Sequence, residues 1–373
     1  YASNNVPRFD HDPTTGESLG LLIEESRSNS WTYSQPTSDI SFGSSATKTF
    51  NAATAPNGET EAFRITHNGS AGNSNWRATR AINFNADEMV LSVWAKGNGG
   101  NNYFLWSFQN LGGAIVRAGF KLEGDGETSI ITNGNGGHTL QIEKYPDGWY
   151  RCIIIGNTDS SGSTTQFLYT ASNYSESSSI SGGSTLLWGF QLEEGAFATS
   201  YIPTSGTTVT RAADKAKITG TNFTDFFNQT EGTIKCSYWL GNDTTGLRVF
   251  QINDSDNSVI DIVAGSGSGS GGYGYINTGG VAQANGGQSS ANDSYRNTLH
   301  VTTLAYKEND VAGINIKTGV LTTDTSAALD GAYNRVTFYQ GNGETAFLNG
   351  RIQQVSYYPK RLPNAQLQGL TQQ

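Results

Sequence analysis

The chain has 373 residues, a net charge of −9 and no run of lysine or arginine. It therefore offers no basic surface for nucleic acid or an anionic membrane, and we expect neither partner. The 46 glycines exceed the usual share of roughly 7%, and charged residues reach only 15%, which argues against a helical or coiled-coil protein. No apolar run approaches the roughly 20 residues of a membrane span.

Short runs with alternating apolar and polar residues fill the first half of the chain between residues 60 and 195. Clusters of Gly, Asn, Asp and Ser separate them, and this pattern is typical of a β-sandwich. The clearest runs are FRITHNG, MVLSVWAK, NYFLWSF, YRCIIIG, TTQFLYT and STLLWGFQLEE.

A second series of strand-like runs fills the other half, from TIKCSYWL to RIQQVSYYP. Because the length exceeds that of a usual single core, we predict two domains joined near residues 203 to 229. The Gly-Ser run at 265 to 272 is interpreted as a hairpin loop within the second domain. The predicted division is an entry segment 1–30, a sandwich 31–210, a linker 211–229 and a second sandwich 230–373.

The C-terminal stretch LPNAQLQGLTQQ predicts a short packing helix. Leu362, Leu367 and Leu370 have the spacing of one helix face, and Asn364 is the predicted N-cap.

Each half contains one cysteine, and both lie inside an apolar strand pattern. We predict that Cys152 and Cys236 are free thiols in two separate cores, because a disulfide would need their Cα atoms within about 7 Å.

Three stretches resemble the concanavalin A-like domains of bacteriophage tail-fibre proteins and related surface proteins. NNVPRFDHDPTTGESLGLLIEESRSN resembles the opening segment, YPDGWYRCIII the central strand and LLWGFQLEEGAFATSYIPTSGTTVTRAAD the closing strand of such a domain. Near the end, FLNGRIQQVSYYPKRLPNAQLQGLT resembles the final strands and closing helix of a laminin-G-like jelly roll. The resemblance implies an all-β fold of two tandem concanavalin A-like jelly-roll β-sandwiches with a short C-terminal helix.

The same resemblance implies a place on a virion surface or outside the cell. It supplies no catalytic residue. The family usually has a further strand before the opening segment, and the chain starts at Tyr1, so we expect it to be one piece of a longer polypeptide.

One motif resembles a catalytic arrangement. Glu123, Asp125 and Glu127 have the Glu-x-Asp-x-Glu spacing that jelly-roll glucanases use. The intervening Gly124 and Gly126 make Gly-Asp-Gly a turn signal, so we predict a turn rather than a catalytic strand. Four scattered histidines form no recognised motif, and we predict no enzyme activity and no catalytic residue.

No metal ligands or cofactor are predicted. Asp254 and Asp256 superficially resemble a calcium loop, but the glycine and the distant glutamate of such a loop are missing. A hairpin turn is the simpler interpretation, and a structural calcium ion at a sandwich edge is left open.

Sugar-binding sandwiches use exposed aromatic rings beside hydrogen-bonding side chains. Trp76 is the strongest candidate in the first domain, because it stands in a polar stretch with Asn75 and Arg77 and has no apolar alternation to bury it. Trp149 and Trp188 are predicted to be structural, since Trp188 shares the parity of the apolar residues in its strand.

Four further aromatic residues are candidate ligand-binding residues. Trp94 and Trp239 lie opposite the apolar face of their strands, and the alternative is a packing contact. Tyr273 and Tyr275 follow the Gly-Ser run and project to one side if extended, and the alternative is hairpin packing.

We therefore predict a non-enzymatic tail-fibre or virion surface segment that binds host-surface polysaccharide. Other virion proteins and a homotrimer are the further partners considered. Two alternatives stay open: a structural fibre or decoration protein without sugar binding, and the accessory carbohydrate-binding portion of a secreted polysaccharide-degrading enzyme.

Overall fold

The computed structural model describes residues 6–35, 46–67, 78–80, 88–99, 102–111, 114–134, 137–157, 164–175, 183–241, 246–254, 258–264, 272–286, 298–316, 319–329, 333–339 and 346–372. Within these ranges almost all regular structure is β-strand, and all pairing between strands is antiparallel. Neither helix in this part of the chain has the length and apolar character needed to cross a membrane.

The strands of the first part of the chain are β1 Phe9–His11, β2 Ser18–Ile23, β3 Arg27–Asn29, β4 Ala46–Ala53, β5 Ala62–His67, β6 Ala78–Arg80, β7 Glu88–Asn98, β8 Tyr103–Leu111, β9 Ala114–Lys121, β10 Glu127–Asn133, β11 Thr139–Lys144, β12 Tyr150–Asn157, β13 Thr164–Ala171, β14 Ser184–Glu194 and β15 Val209–Arg211. A 3-10 turn, Pro146–Gly148, precedes β12.

The remaining elements are β16 Lys217–Thr219, α1 Thr221–Thr224, β17 Glu231–Leu240, β18 Leu247–Asn253, β19 Val259–Ala264, β20 Tyr273–Thr278, β21 Val281–Gly286, β22 Leu299–Lys307, β23 Val311–Asn315, β24 Thr322–Asp324, β25 Arg335–Thr337, β26 Gly350–Tyr358 and α2 Asn364–Thr371.

The chain divides into two compact units, and one is inserted into the sequence of the other. The split unit comprises Tyr1–Ser26 and Ala212–Gln373, and the inserted unit comprises Arg27–Arg211. The predicted all-β class with sandwiches and a C-terminal helix is confirmed. The division differs from the predicted boundaries, because residues 1–26 of the predicted entry segment 1–30 and residues 212–229 of the predicted linker 211–229 belong to the split unit.

The inserted unit is a sandwich of a five-stranded sheet, β10-β9-β8-β13-β6, and a six-stranded sheet, β11-β12-β7-β14-β5-β4. Alternate residues of each strand face the space between the sheets, and the apolar ones form a continuous core. Trp31 stacks on Phe190 in this core with 4.6 Å between ring centroids, and Trp106 meets Phe190 edge-on at 6.0 Å.

A β-bulge in β14 reverses the parity of that strand. The register with β7 shifts between Trp188 and Gln191, at Gly189, which has a φ of +69°. Phe190 therefore points into the core, whereas Trp188 is buried on the outer side of the sheet, beside Trp94. The prediction that Trp188 is buried is confirmed, but it lies on the face opposite to Phe190.

Residues 199–202, which we call the covering segment, lie on the outer side of the six-stranded sheet of the inserted unit. Gln191 accepts a hydrogen bond from the Ile202 amide at 2.6 Å, and Arg151 donates to the Thr199 carbonyl at 2.6 Å. These buried polar contacts fix the segment against the sheet.

The split unit is a second sandwich. Its seven-stranded sheet has the order β1-β2-β26-β17-β22-β23-β24, and its six-stranded sheet has the order β16-β25-β18-β19-β20-β21. The N-terminal strand β2 pairs with β26, with Leu21 opposite Ile352 and Ile23 opposite Gly350. Ile23 is fully buried in the core of this unit, so residues far apart in sequence build one sheet.

Ionic contacts join the N-terminal segment to the chain that follows the insertion. Arg8 donates from Nε to Asp214 Oδ1 at 2.8 Å and from Nη2 to Glu24 Oε2 at 2.8 Å. The Asp214 amide also donates to the Glu24 carbonyl at 2.9 Å. The start of the predicted linker is thus part of the fold of the split unit.

The C-terminal helix α2 packs on the outer side of the seven-stranded sheet. Leu367 is fully buried against Ala305 and Ile314, as the spacing of the leucines predicts. Asn364 is the first helical residue and Pro363 occupies the N-cap position, so the prediction that Asn364 caps the helix is wrong. Pro363 is extended, with a fixed φ that suits the entry into a helix.

Two further predictions are confirmed. Cys152 and Cys236 are free and buried in different cores, and burial raises the pKa of both thiols. Gly124 and Gly126 have positive φ angles, and the Gly126 amide donates to the Glu123 carbonyl at 3.0 Å, which closes the predicted turn. Glu123 precedes the turn and Glu127 begins β10, so they do not lie on one strand.

Candidate functional site

The site begins with strand β20, whose alternation sends its tyrosines to the outer face of the six-stranded sheet of the split unit. Ile276 is fully buried in the core, and a methyl group at Gly274 would lie 2.6 Å from Leu304 Cδ1. Tyr273 and Tyr275 therefore point the other way, and both are half-buried. We call this surface the tyrosine face: Tyr273, Tyr275, Asn277, Arg248, Gln251 and Asp261.

Strand register places the polar members of the tyrosine face side by side. Asp261 of β19 lies directly opposite Tyr275 of β20, and Gln251 of β18 lies opposite Asp261 on its other side. Asn277 donates a hydrogen bond to the Tyr275 hydroxyl at 3.0 Å, which orients that ring. Aromatic, amide and charged groups thus meet on three neighbouring strands.

Asp261 is a fully buried carboxylate on an outward-facing strand position. Arg248 Nε lies 3.0 Å from its Oδ2, while the Arg248 side chain is 20% exposed. Arg248 also donates from Nη1 to the Gly246 carbonyl at 2.9 Å. These contacts fix the guanidinium at the edge of the tyrosine face, with its charge balanced by the carboxylate below.

Polar side chains continue from Gln251 towards the other edge of the sheet. Asn253 donates to Gln251 Oε1 at 3.2 Å and to Thr337 Oγ1 at 3.0 Å, and Arg335 donates to Asn253. Gln251, Asn253 and Thr337 are buried, so this network fixes the polar layer beneath the tyrosine face and does not itself contact a ligand.

Burial raises the pKa of Asp261 to about 6, although Arg248 acts in the opposite direction. The pKa of an unfolded aspartate is near 3.9, so between about pH 4 and pH 6 the folded state binds more protons than the unfolded state. We expect the contribution of Asp261 to the free energy of unfolding of the split unit to fall by about 3 kcal/mol as pH rises through this window. Urea unfolding at pH 4.5, 5.5 and 7 measures it.

The Asp261→Asn variant isolates this effect, because it keeps the shape and removes the ionisable group. The difference in unfolding free energy, wild type minus Asp261→Asn, is expected to fall as pH rises from about 4 to about 6. Asp310→Asn is the matched control, since the Asp310 carboxylate is 53% exposed in its 2.8 Å ion pair with Arg361, and carboxylates open to solvent contribute about 1 kcal/mol or less. Identical profiles for wild type and Asp261→Asn would contradict the prediction.

The other predicted aromatic residues have different surroundings. Trp239 lies on the outer face of the seven-stranded sheet, opposite the core side chain of Tyr238, and is half-buried. The Arg351 guanidinium lies 5.4 Å from its ring centroid and pairs with Asp10 at 2.7 Å. Trp239 is thus placed as its parity predicts, with a cation over the ring.

Trp94 cannot serve as an exposed platform, so that prediction is wrong. It is only 4% exposed, although it faces away from the sandwich core. Arg151 stacks over its ring at 4.6 Å, and Trp188 and Tyr201 pack edge-on at 5.2 and 5.6 Å. The covering segment that includes Tyr201 buries it, a contact between residues distant in sequence that strand parity does not reveal.

Asn75, Trp76 and Arg77 lie outside the described residues, as does Asp256. Asp254 Oδ1 accepts a hydrogen bond from the Ser258 amide at 3.1 Å. Within the ranges that the structure describes, no cluster of three or more His, Cys, Asp or Glu side chains has an arrangement that could hold a metal ion.

Arg248, Gln251 and Asp261 were not among the residues predicted from the sequence. One signal was available: Asp261 is a lone carboxylate within an apolar run, flanked by Ile260 and Ile262. A charged residue on an otherwise apolar strand is rarely fully buried without a partner, so this pattern indicates a nearby cation. The partner Arg248 could be identified only from the strand pairing.

No family model matches the chain, and no curated protein matches it. Among solved structures it is similar to the CBM40 of the Ruminococcus gnavus IT-sialidase bound to α2,3 sialyllactose, at 16% identity over 39% of this chain and 84% of that chain, with a TM-score of 0.32. It is also similar to domains LG4-5 of the mouse laminin α1 chain, at 8% identity over 86% of this chain and 90% of that chain, with a TM-score of 0.27.

A third similar structure is the heptameric SAP-like pentraxin of Limulus polyphemus, at 9% identity over 38% of this chain and 69% of that chain, with a TM-score of 0.30.

Proposed function

We propose that this chain is a non-enzymatic glycan-binding protein of an extracellular or virion surface, with the tyrosine face of the split unit as its site. The observation that carries the proposal is the row of half-buried Tyr273 and Tyr275 beside a guanidinium that Asp261 and Gly246 hold in place. Sugar rings stack their C–H faces on aromatic rings, and their hydroxyls need fixed donors and acceptors nearby.

The ionisation state of the face suits this use. Burial raises the pKa of the Tyr273 hydroxyl, so the phenol stays protonated and can both donate and accept a hydrogen bond at neutral pH. Arg248 contributes donors only, and the Tyr275 oxygen already accepts from Asn277. The face therefore presents a mixture of donors and acceptors rather than a single charge, which matches the hydroxyl groups of a sugar.

The direct test compares the wild type with the Tyr273→Ala/Tyr275→Ala variant on an array of bacterial surface polysaccharides and by titration calorimetry. We expect affinity to fall by about tenfold or more, since each lost aromatic contact contributes about 0.5–1.5 kcal/mol. Tyr358→Ala is the matched control, because Tyr358 is another half-buried tyrosine of the same unit outside the tyrosine face. Equal binding by all three proteins would exclude this site.

Further measurements on the same purified protein distinguish glycan binding from the structural and the enzymatic alternatives. A structural fibre or decoration protein would bind none of the polysaccharides, and light scattering would detect the trimer that such a role favours. Catalysis by this chain itself would release new reducing ends from β-glucan or alginate, and Glu123→Gln would abolish the release, whereas an accessory carbohydrate-binding portion would bind polysaccharide without releasing them. We expect no release, because Glu123 lies before a glycine turn and Glu127 is paired with Lys121.

A further inference from the structure

The inserted unit also carries two tyrosines on the outer face of a sheet. Tyr103 of β8 and Tyr174, which follows β13, meet edge-to-face with 4.9 Å between ring centroids. Both are half-buried, and the buried side chains of Leu105 and Tyr169 lie in the same cluster. An edge-to-face pair keeps the two rings in a fixed mutual orientation.

A glycine determines where the Tyr174 ring lies. A methyl group at Gly119 would be 2.5 Å from Tyr174 Cδ1, far closer than van der Waals contact. The missing side chain lets the ring rest directly on strand β9. Burial and then the Glu127 charge raise the pKa of the Tyr174 hydroxyl, which keeps it protonated. Its oxygen is covered and has no hydrogen-bond partner among the described residues.

Strand register adds a cation and an anion to this pair. Tyr103 lies opposite Lys121 of β9, and Lys121 lies opposite Glu127 of β10, so the three side chains form one row across the sheet. Lys121 Nζ is 2.6 Å from Glu127 Oε1, and their side chains are 26% and 60% exposed. The row therefore offers donors and acceptors with no net charge.

We propose that Tyr103, Tyr174, Lys121 and Glu127 form a second sugar-binding site, which takes a neutral pyranose unit of a polysaccharide. The rings provide the stacking surface, Lys121 donates to a sugar hydroxyl and Glu127 accepts from a neighbouring hydroxyl. A sugar carboxylate is disfavoured, because Glu127 is the more exposed member of the ion pair. The proposal adds a second site to the one proposed for the split unit and does not depend on it.

Titration calorimetry of the intact chain with dextran, mannan and galactan tests this, with alginate as the acidic comparison. Tyr174→Ala and Lys121→Met are each expected to weaken binding of at least one neutral polysaccharide about three- to tenfold. Phe50→Ala and Lys144→Met are the matched controls in the same unit. Phe50 is a 41% exposed ring beside Lys48, and Lys144 is half-exposed and paired with Asp125 at 3.3 Å.

Binding is compared only between variants whose melting temperatures match that of the wild type. Gly119→Ala is a further test, because it displaces the Tyr174 ring without removing it. Adding Tyr174→Ala to the Tyr273→Ala/Tyr275→Ala variant, in which the first site is removed, is expected to weaken binding further. That result supports the second site independently of the first. Unchanged binding by Tyr174→Ala and Lys121→Met, with loss on changing Tyr273 and Tyr275, overturns the second site only. If the wild type prefers alginate to the neutral polysaccharides, and Glu127→Gln strengthens that preference, the proposal of a neutral ligand is wrong. If no polysaccharide binds at all, both proposed sites are wrong.

Discussion

Removal of residues 1–26 is expected to unfold the split unit and leave the inserted unit folded. The deletion removes β1 and β2, including the buried Ile23. It also removes Arg8 and Glu24, which both contact Asp214. Loss of this burial and pairing is of the order of 5 kcal/mol, comparable with the whole stability of a domain.

Limited proteolysis with mass spectrometry measures the outcome of this deletion. We expect a resistant fragment close to residues 27–211 and rapid cleavage after residue 212. Six of the seven tryptophans belong to the inserted unit, so most of the native tryptophan emission should persist. Cooperative unfolding of residues 212–373 at wild-type temperature in the truncated protein would contradict the prediction.

A pair of glycine variants provides the control for the N-terminal strand. A methyl group at Gly20 would lie 2.2 Å from the Ile352 carbonyl oxygen, whereas nothing lies within 4 Å of one at Gly16. Both glycines have positive φ angles, so both variants carry the same kind of backbone strain. Gly20→Ala should therefore destabilise the split unit clearly more than Gly16→Ala, because only Gly20 must let β26 approach.

Phe190→Ala is expected to lower the free energy of unfolding of the inserted unit by about 3–5 kcal/mol. Phe190 is fully buried and contacts the rings of Trp31, Trp106 and Phe63, so its removal leaves a cavity that the rigid aromatic neighbours cannot fill. Urea unfolding followed by tryptophan fluorescence measures the change, since two of these neighbours are the reporters.

Phe50→Ala serves as the control, because it makes the same substitution at a 41% exposed ring of the same unit. Surface substitutions of this kind change stability by about 0.5 kcal/mol or less. A Phe190→Ala effect as small as that of Phe50→Ala would mean that Phe190 is outside the core, and would contradict the bulge at Gly189.

Local sequence determines which face a side chain occupies wherever a strand is unbroken. The alternation of TIKCSYWL places Ile234, Cys236 and Tyr238 in the core and Trp239 outside, as the structure confirms. Local alternation suffices there because an unbroken strand has a strict period of two residues. In β14 the same reasoning fails at Gly189, because a single extra residue in a bulge exchanges the two faces.

The tyrosine face likewise combines residues that local sequence places and residues that only strand pairing places. The projection of Tyr273 and Tyr275 to one side of their strand could be predicted from the sequence. Their neighbours Arg248 and Asp261 could not, since they come from strands whose pairing the sequence does not specify.

The sequence by itself determined the all-β class, the turn at Gly124 and Gly126, the free buried cysteines and the C-terminal helix, because each depends on residues close together in the chain. Only the tertiary structure decided that residues 1–26 complete the sheet of the C-terminal half, that Trp94 is covered, and that tyrosines on both units have charged neighbours. These features depend on strand order and register, which bring together residues separated by up to hundreds of positions.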